Sequence, residues 1–424
     1  MKPHVQTVKL TQKSKHAIGT VELPGSKSIS NRALIIAELS GQDSSIERLS
    51  EADDTRLLKR HLEFIRFWGA SDIPAILDVD NAGTVARFLT AFLVSHDGEW
   101  LVTGSQRMKE RPIGALVEGL VSLGARIRYC GKNGFLPIHI TGTEIYGGEI
   151  RVDTSMSSQF VTAILLIGPY LEEGLKINFS KQVVSQPYVG MTVDMMKTFG
   201  AHVSLFDDCV VVDPHPYNKI DYEVESDWTS AAYWYEVAAL SEQADIFIPG
   251  LYEQSIQGDR VLAEMYTTLG VKTLYETNGL RLLSTGEIPK KVSFDFKDCP
   301  DLALPVITTC AVLGTKAVFT GISHLKYKES NRVESLGIEL EKIGVHLHQK
   351  EDTCSLSITE KSSLDHLIFN TYHDHRLAMS LAPLVLRFPT IQIKDAEVVT
   401  KSYPGFWTEI NKLGFAVFTE TKTV

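Results

Sequence analysis

Apolar and polar positions repeat one pattern six times along the chain. Each copy begins with a helix that is apolar on nearly every side, as in Phe160–Ile167, and such a helix is expected to be buried. An amphipathic helix follows and closes on glycine, which should adopt the left-handed conformation before a strand begins. The buried helices are predicted to begin near Ser28, Asn81, Ser157, Trp228, Pro300 and His373, and the amphipathic helices to close on Gly69, Gly124, Gly200, Gly270, Gly344 and Gly414.

Intervals between the buried helices define the predicted domains. They are 53, 76, 71, 72 and 73 residues, so the chain reads as six α/β units of which the first is shortened between Gly69 and Asn81. A chain of 424 residues exceeds one ordinary core, which favours two similar domains of three units each. We predict an N-terminal domain over 20–226 and a C-terminal domain formed by 1–19 and 227–424. Crossovers at Gly19–Glu22 and Asp221–Asp227 would join them.

Composition excludes several classes of protein. The net charge of −10 argues against a nucleic-acid partner, and no apolar run reaches the ~18 residues that a membrane helix needs. The first residues lack the apolar block of a signal peptide, so a cytoplasmic protein is expected. The five cysteines form no C-x-x-C pair, and the H-x-H spacing of His373 and His375 has no matching ligands nearby. We therefore expect no metal and no cofactor.

Polar residues concentrate where the buried helices open. A helix amino end presents unpaired N–H groups and a partial positive charge, which attract anions. The first opening, Pro24–Arg32, adds two cations and three hydroxyls, and a cation at a helix start opposes the dipole unless an anion joins it. Anion binding is therefore favoured over plain capping by serine. The segment is not a nucleotide P-loop, because Val21 and Ser26 occupy glycine positions of that motif.

Other helix openings and nearby loops also contain candidate functional residues, although each alone is compatible with capping or with a solvated run of charges. They are Asn81–Thr84, Ser155–Gln159, the loop Arg107–Pro112, Asp301 at its helix start, Lys326–Arg332, Tyr372–Arg376 and Lys401. The collected cations are Lys27, Arg32, Arg107, Lys328, Arg332, Arg376 and Lys401, with Asp301 and Glu329 as acids. Cations from both halves predict an active site in a cleft between the domains that closes on two anionic substrates.

These segments together resemble a known family. P-G-S-K-S-I-S-N-R, N-A-G-T, R-M-K-E-R-P-I, S-S-Q-F, S-x-P-Y, P-D, K-E-S-x-R and D-H-R-x-A-M occur in the order found in 5-enolpyruvylshikimate-3-phosphate synthases, from Val21 to Lys401. The resemblance implies two domains of three βαβαββ units joined by two crossover strands. It also implies a transferase of the shikimate pathway to chorismate and the aromatic amino acids. Such an enzyme moves the enolpyruvyl group of phosphoenolpyruvate to the 5-hydroxyl of shikimate 3-phosphate by addition and elimination, releasing phosphate.

Site residues follow from the resemblance motif by motif. Shikimate 3-phosphate should bind to Lys27, Ser28, Arg32, Ser157, Ser158, Gln159, Ser185, Tyr188, Asp301, His324 and Lys328. Phosphoenolpyruvate should bind to Lys27, Gly83, Arg107, Gln159, Arg332, His375, Arg376 and Lys401. The chemistry needs a base at the hydroxyl and an acid at the methylene, for which Asp301 and Glu329 are the candidates. Lys27 is expected to share proton transfer or to offset charge on the leaving phosphate.

Two departures from the family pattern and two alternatives stay open. Phe88 stands where the family usually has proline, and His324 where some members have asparagine. The sister transferase acting on UDP-N-acetylglucosamine shares the six units, but it uses a loop cysteine and lacks the S-S-Q and D-H-R motifs. A catalytically inactive anion-binding protein would have lost some of the four residues Lys27, Asp301, Glu329 and Lys401, all of which are present. A monomer without macromolecular partners is expected.

Overall fold

The computed structural model describes residues 4–12, 14–41, 44–68, 73–153, 157–180, 183–359 and 367–423. Two parts of the predicted pattern, Gly69 and the Ser155-Met156 pair, lie outside these residues. The α-helices in the described ranges are α1 Lys27–Leu39, α2 Asp53–Trp68, α3 Gly83–Leu93, α4 Gly114–Ser122, α5 Ser158–Ile167, α6 Gln186–Thr198, α7 Trp228–Leu240, α8 Leu262–Thr267, α9 Ala303–Leu313, α10 Arg332–Glu341, α11 His375–Leu381 and α12 Phe406–Lys412.

The strands fall into two groups along the chain. The first group is β1 His4–Gln12, β2 His16–Thr20, β3 Ile46–Glu47, β4 Ala75–Asp78, β5 Glu99–Thr103, β6 Arg126–Tyr129, β7 Ile138–Thr141, β8 Gly148–Val152, β9 Leu175–Phe179, β10 Val203–Leu205, β11 Cys209–Val212 and β12 Tyr222–Glu223. The second group is β13 Gln243–Pro249, β14 Val271–Glu276, β15 Gly279–Ser284, β16 Lys291–Asp295, β17 Lys316–Thr320, β18 Val345–Lys350, β19 Thr353–Ile358, β20 Leu367–Phe369, β21 Thr390–Lys394 and β22 Phe415–Thr423.

The chain divides into two compact units. The N-terminal unit is Lys27–Val224, and the C-terminal unit combines Met1–Ser26 with Glu225–Val424. The division falls at 27 and 224 where the sequence suggested 20 and 226. Residues 21–26 belong to the C-terminal unit because they pair with residues 225–227 at the second predicted crossover. The Ser26 amide donates to the Glu225 carbonyl at 2.8 Å, and the Asp227 amide donates to the Pro24 carbonyl at 3.0 Å.

The C-terminal unit contains three four-stranded sheets, each with one parallel and two antiparallel pairings. Their strand orders are β20-β21-β1-β22, β14-β15-β13-β2 and β16-β17-β19-β18. The last of these is built from one continuous segment in the order β16, α9, β17, α10, β18, β19, which is the βαβαββ unit. The other two are completed from the chain start, since β1 lies between β21 and β22 and β2 pairs with β13.

The N-terminal unit contains two further sheets of this kind and one reduced sheet. The orders β4-β5-β7-β6 and β10-β11-β9-β8 repeat the same topology. Among the described residues, β3 forms a two-stranded parallel sheet with β12. The first repeat has no room for the final strand pair, because α2 ends at Trp68 and β4 of the next repeat begins at Ala75. The six repeats and the mixed α/β fold predicted from the sequence are confirmed.

Helix positions agree closely with the hydrophobic pattern. The six buried helices begin at Lys27, Gly83, Ser158, Trp228, Ala303 and His375, within three residues of the predicted starts. On α7 every residue except Ala239 is buried, as its apolar sequence requires. The closing glycines within the described ranges have φ between 77° and 99°, the left-handed conformation that was predicted; they are Gly124, Gly200, Gly270, Gly344 and Gly414.

Two features are absent from the described residues. No helix there is both long and apolar enough to cross a membrane. Within the same ranges, no group of three or more His, Cys, Asp or Glu side chains is arranged to hold a metal ion.

A carboxyl group lies in the core of the C-terminal unit. Glu236, on α7, has no exposed surface, and neither carboxyl oxygen has a hydrogen-bond partner among the described residues. Burial therefore raises the pKa of Glu236 well above its usual value, and the folded protein keeps this proton at a pH where the unfolded chain has lost it. Its stabilising contribution is complete below the unfolded pKa of about 4.3 and is lost as pH rises toward the folded pKa.

We predict that Glu236→Gln makes unfolding less sensitive to pH. The variant should gain stability relative to the parent as pH rises from 5 to 8, by at most about 1.4 kcal/mol per pH unit, because glutamine has no proton to lose. Urea unfolding across this range measures the difference. Glu242→Gln is the control, since Glu242 is exposed, pairs with Lys15 and has a lowered pKa. Parallel stability curves for parent and Glu236→Gln would contradict the prediction.

Candidate active site

The first helix opening places Lys27 against an acid. Lys27 begins α1, and its Nζ lies 3.1 Å from Oδ2 of Asp54 in the first turn of α2. Both side chains are largely buried, with 15% and 5% exposed. A shielded ion pair at a helix opening fixes the amine in one place. Sequence reasoning missed Asp54, although an acid in the first turn of α2 was a visible signal.

Arg32 is a buried cation surrounded by neutral acceptors. Its Nε donates to the Thr192 hydroxyl at 2.8 Å, and its Nη1 and Nη2 donate to the carbonyls of Ser28 at 2.7 Å and Tyr188 at 3.4 Å. Burial lowers the pKa of Arg32 to about 10. In the described part of the chain no carboxylate pairs with it, and a buried cation without a counter-ion is costly. This arrangement suits an anionic ligand.

The segment beside Arg32 is strained. Ser185 precedes α6 with φ 60° and ψ 44°, a left-handed conformation that costs a residue other than glycine about 1–3 kcal/mol. Tyr188 follows in the first turn of α6, and its carbonyl accepts from both Arg32 and the Thr192 hydroxyl. Strain of this kind persists where the surrounding structure holds it, which is common at ligand sites. The predicted residues Ser28, Arg32, Ser185 and Tyr188 therefore lie together.

Gly83 lies between two guanidinium groups at the start of α3. A Cβ atom at this position would come within 2.5 Å of Nη2 of Arg111 and of Nη1 of Arg87, so any other residue would displace these guanidinium groups. Arg87 Nη1 donates to the Gly83 carbonyl at 2.8 Å, and Arg111 Nη1 donates to the Asn81 carbonyl at 3.0 Å. Both arginines are buried. Two cations beside unpaired amides at a helix start form a strong anion-binding arrangement.

The second and third openings meet through Gln159. Its side-chain Nε2 donates to the Thr84 hydroxyl at 3.1 Å, while its backbone amide donates to the side chain of Ser157, which caps α5, at 3.2 Å. Ser158 follows and is buried. Ser157, Ser158 and Gln159 are thus joined to the segment that contains Gly83.

The charged loop before α4 contains two arginines with different surroundings. Arg107 is one-third exposed and pairs with Glu110 at 3.2 Å. Arg111 is the member of this loop whose guanidinium lies against Gly83. The role assigned to Arg107 stays a prediction, and Arg111 is a candidate that sequence reasoning missed. The R-M-K-E-R motif contains both arginines, so the sequence could have suggested Arg111 as well as Arg107.

In the C-terminal unit, Asp301 gathers three cations. Its Oδ1 lies 2.8 Å from Arg332 Nη1 and 3.7 Å from Lys328 Nζ, and its Oδ2 lies 2.8 Å from Arg376 Nη2. Burial acts to raise the pKa of Asp301, but the charges of Arg376, Lys328 and Arg332 outweigh it and hold the pKa well below its usual value. The carboxylate is therefore ionised, as a base must be.

Arg332 is the centre of this group. Its guanidinium is almost fully buried and donates from Nη2 to Glu329 at 2.9 Å and from Nε to Asp374 at 2.9 Å, besides its bond to Asp301. Asp374 caps α11 by accepting from the Arg376 amide at 3.0 Å. Sequence reasoning did not select Asp374, although it is the first residue of the D-H-R motif. The C-terminal cluster is defined here as Asp301, Lys328, Glu329, Arg332, Asp374 and Arg376.

Three other predicted residues belong to the same unit. His324 is buried, its Nε2 has no partner in the described ranges, and burial and the charge of Lys328 lower its pKa to about 4. His375 is also buried, with Nδ1 3.7 Å from Asp374 Oδ1. Lys401 ends a 3₁₀ turn, Ala396–Lys401, that packs against α11. A neutral His324 can donate or accept a hydrogen bond without adding charge.

The chain also matches a protein family and its named members. The model of the family EPSP synthase (3-phosphoshikimate 1-carboxyvinyltransferase) matches residues 11–410. The chain is 44% identical over 400 residues to the 3-phosphoshikimate 1-carboxyvinyltransferase of Bacteroides fragilis strain YCH46, covering 94% of this chain and 96% of the relative. It is 35% identical over 411 residues to the enzyme of that name from Methanospirillum hungatei JF-1, covering 92% and 94%.

A solved structure agrees in fold. EPSP synthase from Acinetobacter baumannii superposes with a TM-score of 0.78 and 22% identity, covering 98% of this chain and 100% of that one. Together with the family match, the six α/β repeats, five of which have a four-stranded sheet, define an enolpyruvyl transferase. The chain belongs to the EPSP synthase family. It transfers the enolpyruvyl group of phosphoenolpyruvate to shikimate 3-phosphate in the biosynthesis of aromatic amino acids.

Proposed function

We propose that Arg32 and the residues around it bind the 3-phosphate and hydroxyls of shikimate 3-phosphate. The observation that carries this assignment is the burial of Arg32 among neutral acceptors, because a phosphate supplies the missing negative charge. Ser28 and Ser185 flank it, and Tyr188 offers a ring for the cyclohexene face. The remaining proposed contacts are Lys27, Ser157, Ser158, Gln159, Asp301, His324 and Lys328.

Phosphoenolpyruvate carries a carboxylate and a phosphate, and we assign both to arginine-rich sites. Arg332 and Arg376 belong to the C-terminal cluster, where both guanidinium groups pair with the Asp301 carboxylate. In the N-terminal unit, Arg111 beside Gly83 is supported better than Arg107, because a buried guanidinium binds an anion more strongly than an exposed one. Further proposed contacts are Lys27, Gln159, His375 and Lys401. The closing interdomain cleft and the role of Arg107 stay predictions.

The proposed chemistry is addition followed by elimination. In the addition, Asp301 removes the proton from the 5-hydroxyl, whose oxygen bonds to C2 of phosphoenolpyruvate, while Glu329 protonates the methylene carbon. In the elimination, Glu329 takes a proton back from the resulting methyl group, the double bond re-forms and the bond between C2 and the phosphate oxygen breaks. Asp301 gives up the proton that it took from the hydroxyl, so that phosphate departs as hydrogen phosphate and both carboxyl groups return to their starting state. Lys27 balances charge on the departing phosphate. When substrate anions engage the cations around Asp301, its pKa rises toward the range that a base needs.

Phosphate release from phosphoenolpyruvate tests the assigned acceptor. We expect turnover with shikimate 3-phosphate and none with UDP-N-acetylglucosamine, the acceptor of the sister transferase. Each acceptor is offered alone at saturating phosphoenolpyruvate, with enzyme omitted as the blank. Absence of turnover with shikimate 3-phosphate would overturn the proposal, and turnover with the nucleotide sugar alone would identify the sister activity.

We also propose that the enzyme is a cytoplasmic monomer. All five cysteines are unpaired, as is usual in a reducing compartment, and a net charge of −10 opposes self-association. Light scattering during size-exclusion chromatography measures the mass, for which 47.1 kDa is expected. A dimer mass would refute the monomer, and recovery outside the cytoplasmic fraction of cells would refute the location.

A further inference from the structure

A strained turn precedes the arginine of the D-H-R motif. Tyr372 and His373 have φ of 52° and 56°, two consecutive residues in the left-handed region that favours glycine. Asp374 and Arg376 of the C-terminal cluster follow directly. Residues other than glycine keep this backbone conformation where surrounding contacts hold it in place.

Glu339 supplies those contacts. Its carboxylate has no exposed surface and accepts from the Tyr372 hydroxyl at 2.8 Å, from the Asn370 amide at 2.9 Å and from Lys342 Nζ at 2.6 Å. Asn370 Nδ2 adds a longer contact at 3.3 Å. Burial raises the pKa of Tyr372 to about 12, so the hydroxyl keeps its proton and remains a donor.

The same helix holds the turn at two points. Arg332 and Glu339 both lie on α10, seven positions apart, which places them on one face of the helix with a rise of about 10 Å. Arg332 binds Asp374, and Glu339 binds Asn370 and Tyr372. The strained Tyr372 and His373 lie between Asn370 and Asp374, and Arg376 follows with its guanidinium 2.8 Å from Asp301.

We propose that the Glu339–Tyr372 hydrogen bond is a positioning device, which holds the strained turn so that Arg376 and Asp374 keep the geometry needed for phosphoenolpyruvate. Glu339 and Tyr372 act through the turn, and neither is a catalytic residue. This inference rests on the proposed function, in which Arg332 and Arg376 bind phosphoenolpyruvate.

Tyr372→Phe tests the device by removing one hydroxyl. We expect the KM for phosphoenolpyruvate to rise about 5-fold, the effect of losing one hydrogen bond of ordinary strength, with kcat within about 2-fold. Adding His373→Gly should restore most of the KM, because glycine adopts the left-handed conformation without strain. A merely structural role for the hydroxyl would lower the melting temperature without this rescue.

Tyr235→Phe is the matched control. It removes a hydroxyl of the same unit that pairs with Thr273 at 2.9 Å, between α7 and β14, so the KM for phosphoenolpyruvate should stay unchanged. An unchanged KM in Tyr372→Phe, or a KM that His373→Gly fails to restore, would overturn the positioning role. Arg376→Gln separates this outcome from failure of the proposed function. If Arg376→Gln leaves the KM unchanged, the arginine assignment fails; if only Arg376→Gln raises it, the assignment stands and the positioning device fails.

Discussion

Asp301→Ala should lower kcat by about three orders of magnitude, within the range of about 10²–10⁴ that a positioned general base contributes. The 5-hydroxyl must lose a proton as its oxygen bonds to phosphoenolpyruvate, and in the proposed mechanism Asp301 accepts it. Steady-state phosphate release gives kcat, and single-turnover mixing shows whether the chemical step itself is slowed. The loss should appear in both.

Binding should survive this substitution. Asp301 now pairs with Arg332, Arg376 and, more distantly, Lys328. Its removal increases the positive charge available to an anion, so the dissociation constant of phosphoenolpyruvate should not rise. Calorimetric titration in the presence of shikimate 3-phosphate measures it. Slow chemistry with retained binding is the result that separates a base from a structural carboxylate.

Two variants complete the test of Asp301. Asp301→Asn keeps the shape and a hydrogen-bonding oxygen but cannot take the proton, so its kcat should fall as far as that of the alanine variant. Asp245→Asn is the control, because Asp245 pairs with Arg281 on the surface of the same unit at 2.6 Å. Near-normal turnover in Asp301→Ala would refute the base assignment. Loss of binding together with turnover would show that Asp301 mainly organises the cluster.

The helices were predictable because the spacing of apolar residues along a short segment shows which faces of a helix are buried. Segments that are apolar on nearly every side predicted the six buried helices. Glycine after an amphipathic segment predicted the helix ends with a left-handed conformation. Strand partners were not predictable in the same way, because pairing joins residues far apart in the chain. The pairing of β1 with β21 and β22 spans nearly the whole sequence, and nothing in His4–Gln12 specifies its neighbours.

Site residues were predictable by type but not by pairing. Motifs named Lys27 and Asp301, yet Asp54 and Asp374 emerged only when folding placed their carboxylates beside Lys27 and Arg332. Each missed acid has an ordinary explanation at a helix start, because Asp374 caps α11 and Asp54 lies in the first turn of α2, where the helix dipole favours an acid. Buried cations need nearby counter-charges, but the sequence does not show which acids supply them.

Arg111→Gln should raise the KM for phosphoenolpyruvate by about 10- to 100-fold, the effect of losing one hydrogen bond between a buried cation and an anion. Arg111 is buried against Gly83 at the start of α3, whereas Arg107 in the same loop is one-third exposed and pairs with Glu110. Screening by water weakens an exposed charge. Arg107→Gln should therefore change the KM by no more than about 3-fold.

Gly83→Ala provides an independent measure of the same site. The added methyl would lie 2.5 Å from the guanidinium nitrogens of Arg87 and Arg111, so both groups must move away from the helix opening. The KM for phosphoenolpyruvate should rise while the KM for shikimate 3-phosphate changes little. Steady-state kinetics of the three variants, with melting temperatures to confirm folding, decide between the two arginines. A larger rise in KM for Arg107→Gln than for Arg111→Gln would contradict this assignment and favour Arg107 as the binding residue. Burial of the Arg111 guanidinium beside Gly83 would then not determine which arginine binds the anion.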